Sequence, residues 1–250
     1  MIIYGHRGAM GEAPENTLSG FELAYRHGIR HFELDIRLSA DGELVVIHDP
    51  TLERTTGRKG KPSDYTAAEL AEIDARKNVK PWSEFQGIPR LTDILEAVPE
   101  TVHFQFEVKT DYKDRLNILC NRLVELIQRR QFHDRCAITS SNTWVLKEVK
   151  RRDETIATGF VAENRFPNPV DTAIKHGCSY LCINWPLVNR ALVVNAQAKN
   201  LHVSCWTVNR IHDILELEKA GVDSVITNFP NSTLTYFDNR TKLQVPHPVE

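Results

Sequence analysis

The sequence predicts an α/β fold, specifically a (β/α)8 TIM barrel of parallel strands enclosed by helices. Short apolar runs that are typical of strands alternate with helical patterns along nearly the whole chain of 250 residues, and such alternation is typical of a parallel sheet. A doubly wound sheet is the alternative α/β fold. It would be expected to carry a glycine-rich phosphate turn, and the chain has neither GxGxxG nor GxxxxGK.

Nine segments are predicted to be strands, and two of them form one unit. Residues 31–38 and 43–48 are separated only by Ser39-Ala40-Asp41-Gly42, which is too short for a parallel crossover and contains an Asp-Gly turn signal. We therefore expect a hairpin that fills one position of the barrel and leaves eight positions in all. The predicted strands are 2–5, 31–38, 43–48, 102–109, 135–140, 155–161, 178–184, 202–208 and 222–228.

Helices are predicted where apolar residues recur at helical spacing. The clearest is 112–131, whose apolar stripe consists of Leu116, Leu119, Leu123, Val124 and Ile127. The other predicted helices are 17–28, 91–98, 143–152, 169–176, 188–200 and 210–220.

A single domain is predicted over residues 1–237, followed by a polar tail over 238–250. Residues 49–90 interrupt the alternation with many glycine, proline and threonine residues and contain one predicted helix near 66–73. In a barrel, an insertion that follows the carboxyl end of a strand lies over the mouth, where the active sites of such barrels are found.

Composition and charge exclude several classes of protein. The chain has 31 Lys and Arg against 33 Asp and Glu, which argues against a general nucleic-acid-binding protein. No apolar run approaches the length of a membrane span, and the first residues lack the pattern of a signal peptide. The five cysteines include no CxxC pair and are expected to be reduced thiols. We therefore expect a cytoplasmic protein.

Acidic side chains alternate with apolar ones in two of the predicted strands. Glu33 and Asp35 share one face of strand 31–38, and Glu107 lies on the corresponding face of strand 102–109. Because the apolar face must meet the covering helices, the acids are predicted to point into the barrel. A buried charge there needs a partner.

Two kinds of partner are possible for these three carboxylates. Carboxylate oxygens suit a hard divalent cation, Mg²⁺ or Ca²⁺, better than Zn²⁺. Alternatively, Arg7, Arg37 or Lys109 could form ion pairs with the acids and no metal would be needed. The alternation alone leaves both interpretations open.

Two histidines end the predicted strands nearest to these acids. His6 ends the first strand and His48 ends the hairpin. With the turn centred on Ala40-Asp41, residue 33 pairs with residue 48, which predicts that His48 lies beside Glu33. Imidazoles titrate near neutral pH, so the pair could act as general base and general acid. Arg7 suits a phosphate or carboxylate group.

Two further segments allow more than one interpretation. Asn16 or Thr17 can cap the first helix, and capping alone would explain that segment. Trp206 ends another strand, where it could contact a substrate at the mouth or pack in the core.

Taken together, these segments resemble the glycerophosphodiester phosphodiesterase family. The matching motifs occur in family order from residue 5 to about residue 230. They are His6-Arg7-Gly8, Pro14-Glu15-Asn16-Thr17, Glu33-x-Asp35, Asp41-Gly42, His48-Asp49, Thr55-Thr56-Gly57, Ile88-Pro89-x-Leu91, Glu107-x-Lys109 and Trp206-Thr207-x-Asn209.

The resemblance implies a (β/α)8 barrel that hydrolyses small-molecule glycerophosphodiesters to sn-glycerol 3-phosphate and an alcohol. It implies a divalent metal ion, Mg²⁺ or Ca²⁺, on Glu33, Asp35 and Glu107. It also implies acid/base catalysis by His6 and His48.

The resemblance further implies that Arg7 and Lys109 lie near the phosphate and that Trp206 lies beside the glycerol end. The insertion 49–90 is expected to shape the head-group pocket. Many members of the family have aspartate where this chain has Asn228. This difference is expected to touch no residue proposed for metal binding or proton transfer and therefore to matter little.

Three alternative functions follow from the same pattern. They are lysophospholipase D-type hydrolysis of lysophospholipids, a phosphoinositide-specific phospholipase C-like lyase, and a catalytically silent barrel that binds phosphodiesters or a protein partner. The chain shows no anchoring segment, which favours soluble substrates over lysophospholipids. The set Glu33, Asp35 and Glu107 with Trp206 disfavours the lyase, and the presence of all the acids and both histidines disfavours the silent barrel. The sequence does not identify the head group, the metal ion (Mg²⁺ or Ca²⁺) or the oligomeric state. It also leaves open which histidine is the base and whether water or a substrate hydroxyl is the nucleophile.

Overall fold

Nine strands form one sheet in the computed structural model, which describes residues 1–77, 79 and 82–244. Each strand lies within a few residues of a segment that the sequence predicts to be a strand. The strands are β1 (Ile2–His6), β2 (His31–Leu38), β3 (Leu44–Val46), β4 (His103–Val108), β5 (Cys136–Ser140), β6 (Ala157–Ala162), β7 (Tyr180–Asn184), β8 (His202–Trp206) and β9 (Ser224–Thr227).

Eight parallel strands close into a barrel, so the predicted (β/α)8 fold is confirmed. Their order around the barrel is β1-β9-β8-β7-β6-β5-β4-β2, and β1 also pairs with β2. This closing contact is short, because its register consists of Gly5 opposite Phe32 and His6 opposite Glu33.

The remaining strand, β3, forms the predicted hairpin with β2, but the predicted register is wrong by one residue. Leu38 lies opposite Leu44 rather than residue 43. The sequence pattern suggested a two-residue turn, whereas residues 40–42 form a three-residue loop with Gly42 in the left-handed region at φ 80°. Such loops end in a left-handed residue, which glycine adopts without strain.

The shifted register changes the predicted route of His48 to the acids. Since β3 ends at Val46, His48 lies beyond the strand and is not the cross-strand partner of Glu33. Both side chains nevertheless line the same cavity, which is described below.

All the predicted helices are present, with ends that differ by a few residues. α1 begins at the N-cap Thr17, whose side chain accepts a hydrogen bond from the Gly20 amide, and α5 ends where Gln131 adopts a left-handed φ of 54°. The helices are α1 (Leu18–Arg26), α2 (Glu53–Thr56), α3 (Ala67–Ala71), α4 (Leu91–Ala97), α5 (Lys113–Arg130), α6 (Thr143–Arg152), α7 (Pro169–Lys175), α8 (Arg190–Gln197), α9 (Ile211–Ala220) and α10 (Pro230–Gln244).

Helix α10 continues past residue 237, so residues 238–244 belong to this helix rather than to the predicted tail. Leu234 and Phe237 pack against the apolar core. Arg240 Nη1 lies 2.6 Å from Glu218 Oε2 of α9. These contacts stabilise a helix whose own sequence is largely polar. Residues 245–250, the rest of the predicted tail, lie outside the described residues.

Apolar side chains fill the space between the barrel and its helices. Phe32, Leu34 and Ile36 of β2 are fully buried among residues of α1, α4 and α5. The intervening Glu33 and Asp35 are also buried but face the interior of the barrel. The alternation predicted for this strand is therefore confirmed, and it places the acids inside the barrel.

Two other expectations can be compared with the structure. All five cysteines carry free thiols, and all are buried. Among the described residues, no helix combines the length and the apolar character needed to cross a bilayer.

Histidine and tyrosine side chains occupy the amino-terminal end of the barrel, away from its mouth. His103 Nδ1 lies 3.0 Å from the hydroxyl of Tyr4, and His103 Nε2 lies 3.2 Å from that of Tyr180. Burial, with the neighbouring His31 and His202, lowers the pKa of His103 to about 4. The folded protein therefore holds this imidazole neutral well below pH 6.

This cluster is expected to make the fold acid-sensitive. The unfolded chain binds a proton at His103 below about pH 6.5, whereas the folded chain does so only near pH 4, so stability falls as the pH falls between these values. We expect His103 alone to lower the free energy of unfolding in urea by about 2 kcal/mol near pH 5 relative to pH 7.5, in addition to the contributions of the other buried histidines. A His103→Gln variant should lose this contribution, so its stability should fall less steeply as the pH falls. An equal slope in both proteins would contradict the prediction.

Candidate active site

A cavity opens where the carboxyl ends of the barrel strands meet. It gathers seven of the eight residues predicted from the sequence, and the eighth, Asp35, is fully buried within reach of Glu33 and Glu107. No described residue of the insertion 49–90 is among the lining residues, and the expectation that the insertion shapes a head-group pocket stays a prediction. The lining residues are His6, Arg7, Glu33, His48, Gln105, Glu107, Lys109, Thr139, Val161, Glu163, Cys182, Trp206, Thr207 and Ile226. We call this space the central cavity.

Three carboxylates converge at one side of the central cavity. Asp35 of β2 lies opposite Glu107 of β4 in the parallel register, and Glu33 lies on the same face of β2. One oxygen from each of the three residues lies within 4.8 Å of the others. This spacing would allow one cation to contact all three side chains.

Glu33 is the member of this cluster that most needs a cation. Both of its carboxylate oxygens are buried, and neither has a hydrogen-bond partner among the described residues. His6 Nε2 lies 3.7 Å away. Burial, together with the charges of Asp35 and Glu107, raises the pKa of Glu33 well above its usual range. A bound cation would favour the ionised form, so the donor set fits a hard divalent ion.

Two cationic side chains neutralise part of the cluster. Asp35 Oδ2 lies 3.0 Å from Arg7 Nε, and Asp35 Oδ1 lies 3.0 Å from Lys109 Nζ. Lys109 also lies 2.6 Å from Glu107 Oε1. Burial alone would raise the pKa of Asp35, but Arg7 and Lys109 outweigh it and hold that pKa far below its usual range.

Ion pairing, the alternative to a metal, therefore accounts for only part of the cluster. Arg37 contacts no acid of the cluster, because its Nε donates to the carbonyl of His48 at 3.0 Å and its Nη1 donates to that of Thr110 at 3.2 Å. The two cations lie within 3.0 Å of Asp35 and Glu107, so Glu33 is the one carboxyl of the cluster without a lysine or arginine partner at this distance among the described residues.

A strained backbone turn orients Arg7. Its φ is 51°, in the left-handed region that few residues other than glycine adopt. The Arg7 amide donates to the carbonyl of Glu33 at 2.9 Å, and its carbonyl accepts from the amide of Asn16 at 3.0 Å. The next residue must be glycine, because Gly8 has φ 83° and a Cβ there would lie 2.7 Å from the carbonyl carbon of Gly20.

A chain of ion pairs connects Arg7 with the second histidine. Glu15 Oε1 accepts from Arg7 Nη1 at 2.8 Å, and Glu15 Oε2 accepts from Arg54 Nη1 at 2.5 Å. Arg54 Nε also lies 2.5 Å from Asp49 Oδ2, and Asp49 Oδ1 lies 2.6 Å from His48 Nδ1. Arg54 therefore connects the insertion to the site through these ion pairs.

The segment before α1 caps the helix, as predicted, and also contacts the carboxylate cluster. Thr17 caps the helix, as described above, while Asn16 Nδ2 donates to Asp35 Oδ2 at 2.8 Å. Sequence reasoning did not assign Glu15, Asn16 or Arg54 to the site. The family motif Pro14-Glu15-Asn16-Thr17 was the available signal for the first two, and none singled out Arg54.

His6 has a partner that the sequence analysis treated as unimportant. Its Nδ1 donates to Oδ1 of Asn228 at 2.5 Å, which leaves Nε2 as the acceptor nitrogen on the side of Glu33. The expectation that the asparagine touches no residue proposed for proton transfer is therefore wrong. Burial, followed by the charge of Arg7, lowers the pKa of His6 to about 4, so this imidazole is neutral at physiological pH.

His48 has a charged partner instead of a neutral one. Its Nδ1 donates to the carboxylate of Asp49, which favours an imidazolium. Burial, with the charges of Arg7 and Lys109, still lowers the pKa of His48 below its ordinary value, while Asp35 opposes the change. The two histidines thus face one cavity with partners of different charge.

The fold and the central cavity define a (β/α)8 barrel with paired histidines and an acidic candidate metal site at its mouth. Comparison with known families identifies it more closely. The model of the glycerophosphoryl diester phosphodiesterase family matches residues 6–232. The chain therefore belongs to this family, and the resemblance found in the sequence is confirmed.

Individual relatives agree with this assignment. The chain is 30% identical over 238 residues to a glycerophosphodiester phosphodiesterase of Caldanaerobacter subterraneus, covering 93% of this chain and 96% of the relative. It is 25% identical to a lysophospholipase D of Rattus norvegicus, covering 94% and 85%. A solved phosphodiesterase of Oleispira antarctica, in complex with the product sn-glycerol-3-phosphate, matches with a TM-score of 0.88 and 27% identity over 95% and 97% of the two chains.

Proposed function

We propose that the protein hydrolyses glycerophosphodiesters to sn-glycerol 3-phosphate and an alcohol. The observation that carries this proposal is the meeting of three carboxylates, two cations and two histidines in one cavity of a chain from this family. The product in the related Oleispira antarctica structure supports the same reaction.

Glu33, Asp35 and Glu107 are the residues that would hold the divalent cation, Mg²⁺ or Ca²⁺. A bound divalent ion supplies positive charge that stabilises the phosphoryl oxygens in the transition state. Arg7 and Lys109 contribute further positive charge at the same side of the cavity. Trp206 packs against the glycerol end of the substrate.

The hydrogen-bond partners of the histidines suggest a division of roles. His6 is neutral and presents Nε2 to the cavity, so it accepts a proton from the attacking hydroxyl. His48, paired with Asp49, is better suited to hold a proton and to donate it to the leaving alcohol. If the attacking hydroxyl belongs to water, sn-glycerol 3-phosphate forms directly. If it belongs to the glycerol of the substrate, a cyclic phosphate forms and water then opens it. His6 accepts the proton of the first attacking hydroxyl in both cases.

The purified protein is expected to release glycerol 3-phosphate from glycerophosphocholine when Mg²⁺ or Ca²⁺ is present. EDTA should abolish the release, and excess divalent cation should restore it, because the cation would supply the charge that stabilises the phosphoryl oxygens and neither Glu33 oxygen has another hydrogen-bond partner among the described residues. An enzymatic assay for glycerol 3-phosphate measures both effects.

Other outcomes of this assay would support other functions. Release of a phosphate-bearing lipid from lysophosphatidylcholine, with none from glycerophosphocholine, would favour the activity named for the rat relative. No release from either substrate, with a bound cation shown by calorimetry, would favour a binding protein.

A further inference from the structure

One acidic side chain of the central cavity lies apart from the carboxylate cluster. Glu163 directly follows the last residue of β6, lines the cavity and is exposed to solvent. Among the residues that the structure describes, no hydrogen bond or ion pair holds its carboxylate. Arg165, two positions further along, does not belong to the lining.

The barrel topology places Glu163 at the rim on the far side from His6. The order of strands puts β6 across the barrel from β1, with β7 between β6 and β8. Ala162 lies opposite Ile183, and Asn184 lies opposite Trp206. Glu163 and Trp206 therefore lie at about the same height along the barrel axis, on strands separated by β7. Two different ends of one substrate could contact them.

Positive and negative charges balance on the side of the central cavity where Arg7 and Lys109 would bind the phosphate. Arg7 and Lys109 offset two of the three clustered carboxylates. A divalent ion on the third carboxylate leaves a single positive charge, which the single negative charge of a phosphodiester neutralises.

Both carboxylates in the chain of ion pairs that leads to His48 also have partners. Arg54 forms ion pairs with both Glu15 and Asp49, and Asp49 also accepts a hydrogen bond from His48 Nδ1. The negative charge of Glu163 is left over in the cavity. A carboxylate near an anionic ester is repulsive, unless the substrate itself carries a cation.

We propose that Glu163 selects glycerophosphodiesters whose alcohol carries an ammonium group, such as choline or ethanolamine. This inference rests on the proposed function and deepens it by naming the class of head group. The glycerol end lies toward Trp206 on β8, and the ammonium group lies toward Glu163 on β6. A neutral alcohol, such as glycerol or inositol, leaves the carboxylate unpaired.

The test compares four substrates that differ only in the alcohol. We expect Glu163→Gln to lower kcat/KM for glycerophosphocholine and glycerophosphoethanolamine by about fivefold, the upper range for an ion pair near the surface. The values for glycerophosphoglycerol and glycerophosphoinositol should not fall. The preference of the unaltered protein for ammonium substrates should also become smaller at high ionic strength, because salt screens the attraction between the carboxylate and the ammonium group.

A matched control removes the same charge from the other end of the same strand. Glu154 is exposed and lies three residues before β6, at the amino-terminal end of the barrel. Glu154→Gln should leave the kcat/KM of all four substrates unchanged. Glu163→Asp, which keeps the charge, should retain part of the preference for ammonium substrates.

Each remaining outcome overturns one specific statement. An equal loss on all four substrates, or no loss on any, would overturn the role of Glu163 in head-group selection. If the unaltered protein hydrolyses all four esters without preferring the ammonium substrates, this inference fails while the proposed function stands. If it hydrolyses none of them, the proposed function itself fails.

Discussion

Replacing His48 or His6 by alanine is expected to lower kcat for glycerophosphocholine by about 10²- to 10⁴-fold, the usual contribution of a positioned acid or base. Each imidazole lines the central cavity and has its Nδ1 hydrogen-bonded to a partner, Asn228 for His6 and Asp49 for His48. Neither histidine belongs to the carboxylate cluster. The affinity for Mg²⁺ or Ca²⁺, measured by calorimetry, should therefore change little.

A substrate with an acidic leaving alcohol separates the two roles. A glycerophosphodiester of nitrophenol needs no proton on its leaving group, so His48→Ala should lose far less activity on this ester than His6→Ala. His212→Ala, at an exposed position of α9, is the control and should keep full activity. Equal losses for both cavity variants on both substrates would contradict the assigned roles, and near-full activity of either would remove that histidine from the mechanism.

Removing a carboxylate of the cluster is expected to have the second large effect. Glu33→Gln and Glu107→Gln each delete one of the three charges that would face the cation. We expect each to weaken cation binding by more than the roughly 10- to 100-fold that is typical of losing an outer-sphere partner. Turnover should also fall when the concentration of the cation is limiting. Calorimetric titration with Mg²⁺ and with Ca²⁺ measures the change.

A stability measurement tests the same cluster without any turnover. In EDTA, Glu33→Gln should be at least as stable as the parent protein, because a neutral amide replaces a buried carboxyl with a strongly raised pKa. Adding cation should then stabilise the parent much more than the variant. Glu154→Gln serves as the charge control and should follow the parent. Unchanged cation affinity in both cluster variants would exclude their role as ligands.

The acid cluster could be predicted because it depends on local geometry. Successive side chains of a strand alternate between faces, so the apolar residues of β2 that pack against helices force Glu33 and Asp35 inward. The parallel register then places Glu107 beside Asp35. No information about distant loops was needed for either step.

The contacts between residues far apart in the sequence could not be predicted in the same way. Asn228 is 222 positions from His6 in the sequence, and Arg54 reaches Glu15 from 39 positions away. Such contacts depend on how loops after different strands fold over the mouth. The position of His48 was also missed in detail, since one residue more in the hairpin loop moves the register by one.

The contact between β1 and β2, which closes the barrel and which we call the seam, also forms part of the candidate active site. β1 meets β2 through only two register pairs, and one of them joins His6 to Glu33. On its other side β1 pairs with β9, the last strand of the chain. During synthesis, β1 can therefore complete its pairing only after β9 has been made, and the groups of the site come together only then. In the finished protein, a local opening of this seam would stop catalysis while most of the core stayed folded, so activity reports on the closure of the barrel.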